Sequence, residues 1–142
     1  LKAEELYAIE KEGSFTKNDR TDIHSIVTGM VGFKGHVHVA FGSELEIKSD
    51  EPEAIAELID EQILKNYRLS DANYIAAEML QKEGSLVDQS LDAVIKQRSI
   101  SENNRQIFSE RISKTRTKLI RHLLFGYANP LVNKLKSGFK LY

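Results

Sequence analysis

Hydrophobic residues recur at helical spacing along most of the chain. The first such stretch covers Leu1–Glu12, and a second helix begins near Thr21 or Asp22, either of which could cap it. We expect the buried face of this second helix to consist of the apolar residues that follow the 3–4 spacing: Ile23, Ile26, Val27 and Met30.

Capping residues and prolines predict the starts of the remaining helices. These starts are Ser49–Pro52, Ser70, Ser85, Ser101 and Pro130. The longest predicted helix runs from Glu102 to Phe125, where Gly126 ends it, and a short final helix covers Leu131–Lys136.

One segment, His36–Glu46, follows the alternating pattern of a strand, since Val37, Val39 and Phe41 alternate with His36, His38 and Ala40. A lone strand cannot satisfy its own backbone hydrogen bonds. We therefore expect this strand to pair with a sheet outside the chain or with a second copy. Alternatively, a second short strand near Leu45–Lys48 completes a hairpin. The predicted fold class is α+β, mainly helical with one or two short strands.

Charge is distributed unevenly over the 142 residues. The totals are 20 Lys or Arg against 21 Asp or Glu, a net charge of -1. Residues 1–92 carry 9 basic and 19 acidic side chains, whereas residues 93–142 carry 11 basic and 2 acidic ones. Such asymmetry indicates a surface that meets an anionic partner.

Other classes of protein are disfavoured by composition. The chain has no cysteine, which excludes disulfides and thiol chemistry and suits a cytoplasmic protein. No stretch reaches the roughly 18 apolar residues of a membrane-spanning helix. The chain begins at Leu1 without a signal peptide or a Met, and we expect it to be a piece of a longer protein.

The long basic helix is the most informative element. Its apolar stripe consists of Phe108, Ile112, Thr115, Leu119 and Leu123, and its cations gather on the opposite arc. A basic amphipathic helix of this kind is suited to an anionic membrane surface. The predicted contacts with anionic lipid or phosphate are Arg111, Lys114, Lys118, Arg121 and Lys134. Alternatively, the stripe packs in the core and the cations only face water.

Candidate catalytic or metal-binding groups are sparse. His36 and His38 project to the same side of the predicted strand and could share a metal ion with His24 or Glu44, but an ordinary half-exposed strand explains them better. No nucleophile motif and no phosphate-binding glycine loop is present. We predict no catalytic residue, no metal and no cofactor. The basic tail lacks interleaved aromatic residues, so nucleic acid is not a predicted partner.

Gly35–Leu45 resembles the late strand of lysophosphatidate-type glycerolipid acyltransferases, in which a glycine precedes alternating valines and a Phe-Gly turn. Leu1–Glu12 resembles the segment after the last core motif of bacterial phospholipid/glycerol acyltransferases, and Tyr67–Leu69 and Asn73–Ala77 resemble their helical C-terminal extension. The resemblance implies that residues 1–48 end the catalytic domain and that residues 49–142 form the extension, within one compact unit.

The catalytic signature of that family, His followed after four residues by Asp, is missing. The residue at that place after each histidine is Gly29, Phe41, Ser43 or Tyr127. The resemblance therefore implies an inactive C-terminal fragment of an enzyme that transfers an acyl chain from acyl-CoA or acyl-carrier protein to a lysophospholipid or glycerol phosphate. Its implied partners are the missing catalytic domain and the inner face of the membrane, to which it would bind peripherally.

A second hypothesis needs no resemblance. The acidic and basic halves could make the chain a non-enzymatic interaction module that pairs between copies as a homo-oligomer or engages a protein partner through its basic surface.

Overall fold

The computed structural model describes residues 2–32, 35–48 and 50–141, and this part of the chain contains seven α-helices and no β-strand. The helices are Lys2–Glu12 (α1), Asp19–Val31 (α2), Pro52–Asn66 (α3), Asp71–Lys82 (α4), Gln89–Gln97 (α5), Glu102–Ser113 (α6) and Thr117–Lys136 (α7). The predicted α+β class is therefore wrong, because α-helices joined by irregular connections make up the described residues.

Helix α4 lies at the centre of the hydrophobic core. Five consecutive residues, 73–77, are buried, which requires neighbours on more than one side of the helix. Helix α7 packs most extensively against α4, and α5 and α6 cover other parts of it. Ala76, Ala77 and Ala128 are fully buried, and their small side chains let α4 and α7 approach closely.

The buried core lies entirely between residues 69 and 132. Its members are Leu69, Tyr74, Ile75, Ala76, Ala77, Leu80, Leu91, Ile95, Phe108, Ile112, Leu124, Ala128, Leu131 and Val132. Neither α1, α2 nor α3 contributes a buried residue; α1 and α3 lie against α7.

Asn73 connects the start of α4 to the middle of α7. Its Oδ1 accepts hydrogen bonds from the Ser70 backbone N–H at 2.6 Å and from the Ser70 hydroxyl at 3.0 Å. Its Nδ2 donates to the Tyr127 carbonyl oxygen at 2.8 Å. One buried amide therefore both caps α4 and fixes where α4 meets α7.

Helix α7 continues through Gly126 and Pro130, so the predicted helix end and restart there are wrong. Pro130 cannot donate a hydrogen bond to the Gly126 carbonyl, which normally interrupts a helix. Gly126 is exposed, so water can reach that carbonyl. Burial of Leu124, Ala128 and Leu131 on both sides of the glycine holds the helix against α4.

The long helix predicted from Glu102 to Phe125 is instead two helices, α6 and α7. Residues 114–116 separate them, and Arg116 adopts a non-helical conformation with ψ near 130°. The break lies in Ser113–Thr117, where Ser and Thr residues favour turns over helix interiors. Buried Ile112 and Leu119 keep the seven-residue spacing of one continuous helix, so the hydrophobic pattern gave no sign of the break.

The predicted strand, residues 36–46, has no backbone ladder and is wrong. Residues 35–48 form no regular secondary structure, and we call this stretch the extended segment because it belongs to no helix. It lies beside α3, where the Gln62 side-chain amide donates to the Ser43 carbonyl at 2.9 Å. All six alternating residues are exposed, but His36, His38 and Ala40 line the cleft beside α3, whereas Val37, Val39 and Phe41 do not. Two environments on the two sides of an extended chain produce the same pattern as a sheet.

The apolar face predicted for α2 is also not buried. Ile23, Ile26, Val27 and Met30 are between 49% and 74% exposed. The helix itself begins earlier than predicted, because the Asn18 side chain accepts a hydrogen bond from the Thr21 backbone N–H at 3.0 Å and caps α2. The 3–4 spacing therefore identified the helix but not its environment.

Two carboxylates join the helices around α4. Asp71 accepts hydrogen bonds from Arg98 Nη2 at 2.8 Å and from Asn104 at 2.7 Å, which ties α4 to the start of α6. Glu78 accepts from Lys82 at 2.7 Å and from Arg105 at 2.6 Å. The hydrogen bonds from Lys82 and Arg105 hold the pKa of Glu78 below its ordinary value. Desolvation alone would raise the pKa of Asp71, but hydrogen bonds from Asn104 and Arg98 outweigh it and lower that pKa.

Removing the Asn73 amide should destabilise the protein more than removing the amide of an exposed asparagine. We expect Asn73→Ala to cost about 2–4 kcal/mol in urea unfolding, because the Tyr127 carbonyl loses a buried donor and α4 loses its cap. Asn66→Ala is the matched control, since Asn66 is exposed and donates within α3 to the Gln62 carbonyl. Equal losses for the two variants would contradict this role of Asn73.

Acid should weaken the fold through Asp71 and Glu78. Both carboxyls have a lower pKa in the folded chain than in the unfolded one, so their ionised forms favour folding. That stabilisation is present above the ordinary carboxyl pKa of about 4 and is lost as the pH falls below it. In urea unfolding from pH 7 to pH 3, the double variant Asp71→Asn/Glu78→Gln should lose less stability than the parent chain. A Glu57→Gln control should follow the parent, and identical pH dependence of all three chains would contradict the prediction.

Candidate anion-binding surface

Four long cationic side chains line the junction between α6 and α7. Arg111 lies in the last turn of α6, Lys114 caps that helix, and Lys118 and Arg121 lie in the first turns of α7. All four residues are exposed. We call these four residues the cationic arc.

The arc points outward because the opposite sides of both helices are buried. Phe108, Ile112 and Leu119 are each 5% exposed or less, and Phe108 and Ile112 belong to the hydrophobic core. The apolar stripe therefore packs inward and the cations face outward, as in the alternative considered from the sequence. This arrangement leaves the arc accessible to a ligand.

Among the described residues, three members of the arc lie beyond salt-bridge distance of every carboxylate. Within the described residues, Lys114, Lys118 and Arg121 make no salt bridge. The Lys118 ammonium lies 4.9 Å from the centre of the Tyr7 ring, and the Arg121 guanidinium lies 5.8 Å from that of Phe125. These aromatic contacts position the cations without neutralising them.

Helix α1 bounds the arc on one side with acidic residues. Glu4 lies 3.6 Å from Arg116, and Glu10 lies 2.8 Å from Nε2 of His122. The Lys11 hydrogen bond, together with the charge of Lys11 and the nearby His122 and Arg121, holds the pKa of Glu10 below its ordinary value against the effect of desolvation. Part of the opposite charge of the two halves is therefore paired within the chain.

We did not predict these contacts of α1 from the sequence, although the spacing of the residues that make them indicates a shared helix face. Glu4, Tyr7 and Glu10 recur every three residues and so lie on one side of α1. Tyr7 also meets the His122 ring edge-on, with 5.9 Å between ring centres.

Lys134 does not belong to this surface. It is only 5% exposed, and its ammonium donates to the Tyr67 carbonyl at 2.7 Å and the Lys65 carbonyl at 3.4 Å, at the C-terminal end of α3. Burial lowers the pKa of Lys134 from its ordinary value. Lys134, which was predicted to contact lipid, instead connects α3 to α7, because its ammonium donates hydrogen bonds to carbonyl groups at the C-terminal end of α3.

His36 and His38 lie elsewhere, on the side of the extended segment that faces α3. In the residues that the structure describes, no cluster of three or more His, Asp or Glu side chains could hold a metal ion. The further ligands considered from the sequence, His24 and Glu44, line other clefts than the one that contains the two histidines.

Comparison of the chain with protein-family models, curated proteins and solved structures finds no match. In the described ranges, no helix combines the length and the apolar composition needed to cross a membrane.

Proposed function

We propose that this chain is a helical module that binds an anionic membrane surface through the cationic arc. The observation that carries this proposal is the exposure of Lys114, Lys118 and Arg121 without a salt bridge in the described structure. Anionic lipid head groups would supply the missing negative charge.

The strength of such a contact can be estimated from the number of cations. Each Lys or Arg close to an anionic membrane surface contributes about 1 kcal/mol. Four of them contribute about 4 kcal/mol, which corresponds to a dissociation constant near 1 mM. The proposed binding is therefore reversible and peripheral, and it depends on the density of anionic lipid.

Salt should weaken this binding strongly. The arc is exposed, and the Debye length shortens from about 8 Å at physiological ionic strength to about 3 Å at 1 M. A contact made by apolar insertion alone would keep most of its strength over the same range.

A second candidate is the C-terminal region of a glycerolipid acyltransferase. Besides the sequence resemblance, the exposure of Ile23, Met30, Val39 and Phe41 supports it, because a catalytic domain could cover these apolar side chains. The chain itself would then contribute no catalytic residue. A coding sequence upstream of Leu1 that contains the His-x4-Asp signature would support this candidate, and an upstream sequence without it would contradict it.

Neutralising two residues of the arc should reduce vesicle binding. We expect Lys114→Gln/Lys118→Gln to lower the partition onto phosphatidylglycerol vesicles by about 2 kcal/mol, roughly 30-fold. The measurement is co-sedimentation at low salt, with vesicles of uncharged lipid for comparison.

The matched control is Lys48→Gln/Lys96→Gln, which removes the same charge from exposed sites outside the arc. If both double variants lose binding equally, net charge rather than the arc is responsible. If the parent chain does not co-sediment with anionic vesicles at low salt, the proposed function is wrong.

A further inference from the structure

An open cleft of about 650 Å³ lies between the extended segment 35–48 and α3. Its walls come from one side of the segment, from α3 and from the connection between α3 and α4. The lining residues are His36, His38, Ala40, Gly42, Ser43, Leu45, Ile59, Gln62, Ile63, Asn66, Tyr67, Arg68 and Ser70.

The charge of this lining is opposite to that of its surroundings. Residues 1–92 carry 19 acidic side chains, yet none of the lining residues is Asp or Glu. Arg68, His36 and His38 all line the cleft, and within the described chain they make no hydrogen bond or salt bridge. A cationic group and two imidazoles are thus free to bind an anion.

The same cleft has an apolar wall. Ile59 and Ile63 are 42% and 55% exposed and lie one turn apart on α3, and Leu45 and Ala40 face them from the segment. A ligand chain that covers these isoleucines removes their apolar surface from water, which favours binding. The cleft therefore offers an apolar wall together with unpaired cationic and imidazole groups.

The cleft between α1 and α2 lacks this combination. It is lined by acidic and basic residues together, and Lys17 there lies 3.8 Å from Glu5. Its charges compensate one another, so nothing in it selects for an anion.

We infer that the cleft between residues 35–48 and α3 binds a single-chain amphiphile with an anionic head group, either a carboxylate or a phosphate. Arg68 and the two histidines bind the head group, and Ile59 and Ile63 contact the chain. This site adjoins the cationic arc, since His36 and Arg111 line a smaller neighbouring cleft together, but the proposed binding does not depend on membrane binding by the arc.

Binding can be measured by NMR titration of the whole chain with decanoate and decyl phosphate, both below the concentrations at which they form micelles. Both should bind with saturable shifts at residues 36–45 and 59–70. The tighter of the two identifies the head group. Inorganic phosphate, which has no chain, and decyl maltoside, which has no charge, should bind at least tenfold more weakly.

Two variants separate the contributions of charge and apolar wall. Arg68→Gln should weaken both anionic ligands about tenfold, the loss expected for one charge-assisted hydrogen bond. Ile63→Ser should weaken both ligands by a similar factor, because it removes an apolar contact with the decyl chain and leaves the contacts with the head group in place. Both residues are exposed, so circular dichroism should show an unchanged helical fold.

The matched controls are Arg20→Gln and Ile23→Ser, which change the same residue types at exposed positions on α2 outside the cleft. They should leave binding unchanged. Three results would overturn the inference: equal loss in the controls, shifts centred on the exposed face of α2, or no saturable binding of either decyl anion.

Discussion

The enclosure of α4 is the constraint on which the rest of the structure depends. A helix with five consecutive buried residues must be covered on several sides, and the alanines at 76 and 77 allow α7 to come close. Asn73 then fixes the register, because its amide reaches the Tyr127 carbonyl while its oxygen caps α4. Helix α7 stays continuous past Pro130 since it is held along this contact.

The distribution of charge follows from that packing. Helices α6 and α7 turn their apolar sides toward the core, so their cations must project into solvent at the α6–α7 junction. Acidic α1 covers only one side of α7, where Glu4 and Glu10 meet Arg116 and His122. Lys114, Lys118 and Arg121 make no salt bridge in the described chain. The near-zero net charge of the sequence thus results from two surfaces of opposite sign that pair only in part.

Much of the helical structure could be predicted because it depends on local signals. Pro52, Ser70 and Ser101 mark helix starts whose capping chemistry involves only neighbouring residues. The break after Ser113 could not be predicted from periodicity, since Ile112 and Leu119 keep the spacing of one helix. Gly126 and Pro130 mark an end by local rules, but packing against α4 overrides them.

The remaining errors concern the environment of a side chain rather than its local conformation. Val37, Val39 and Phe41 alternate with cleft-facing residues as they would in a strand, yet no second strand pairs with them in the described residues. Lys134 follows the charge pattern of its neighbours, but its burial depends on the carbonyls of residues 65 and 67, nearly seventy positions away. The cleft between residues 35–48 and α3, which Arg68 lines, forms only when these two parts of the chain lie together.

Hydrogen–deuterium exchange of the whole chain, with and without anionic vesicles, tests the central claim that a core around α4 and α7 presents a cationic surface. We expect the slowest exchange in α4 and the middle of α7 under both conditions, and fast exchange in α2. Vesicles should add protection at the α6–α7 junction, around residues 111–121. Fast exchange in α4, or vesicle-induced protection that omits this junction, would contradict this arrangement of core and surface.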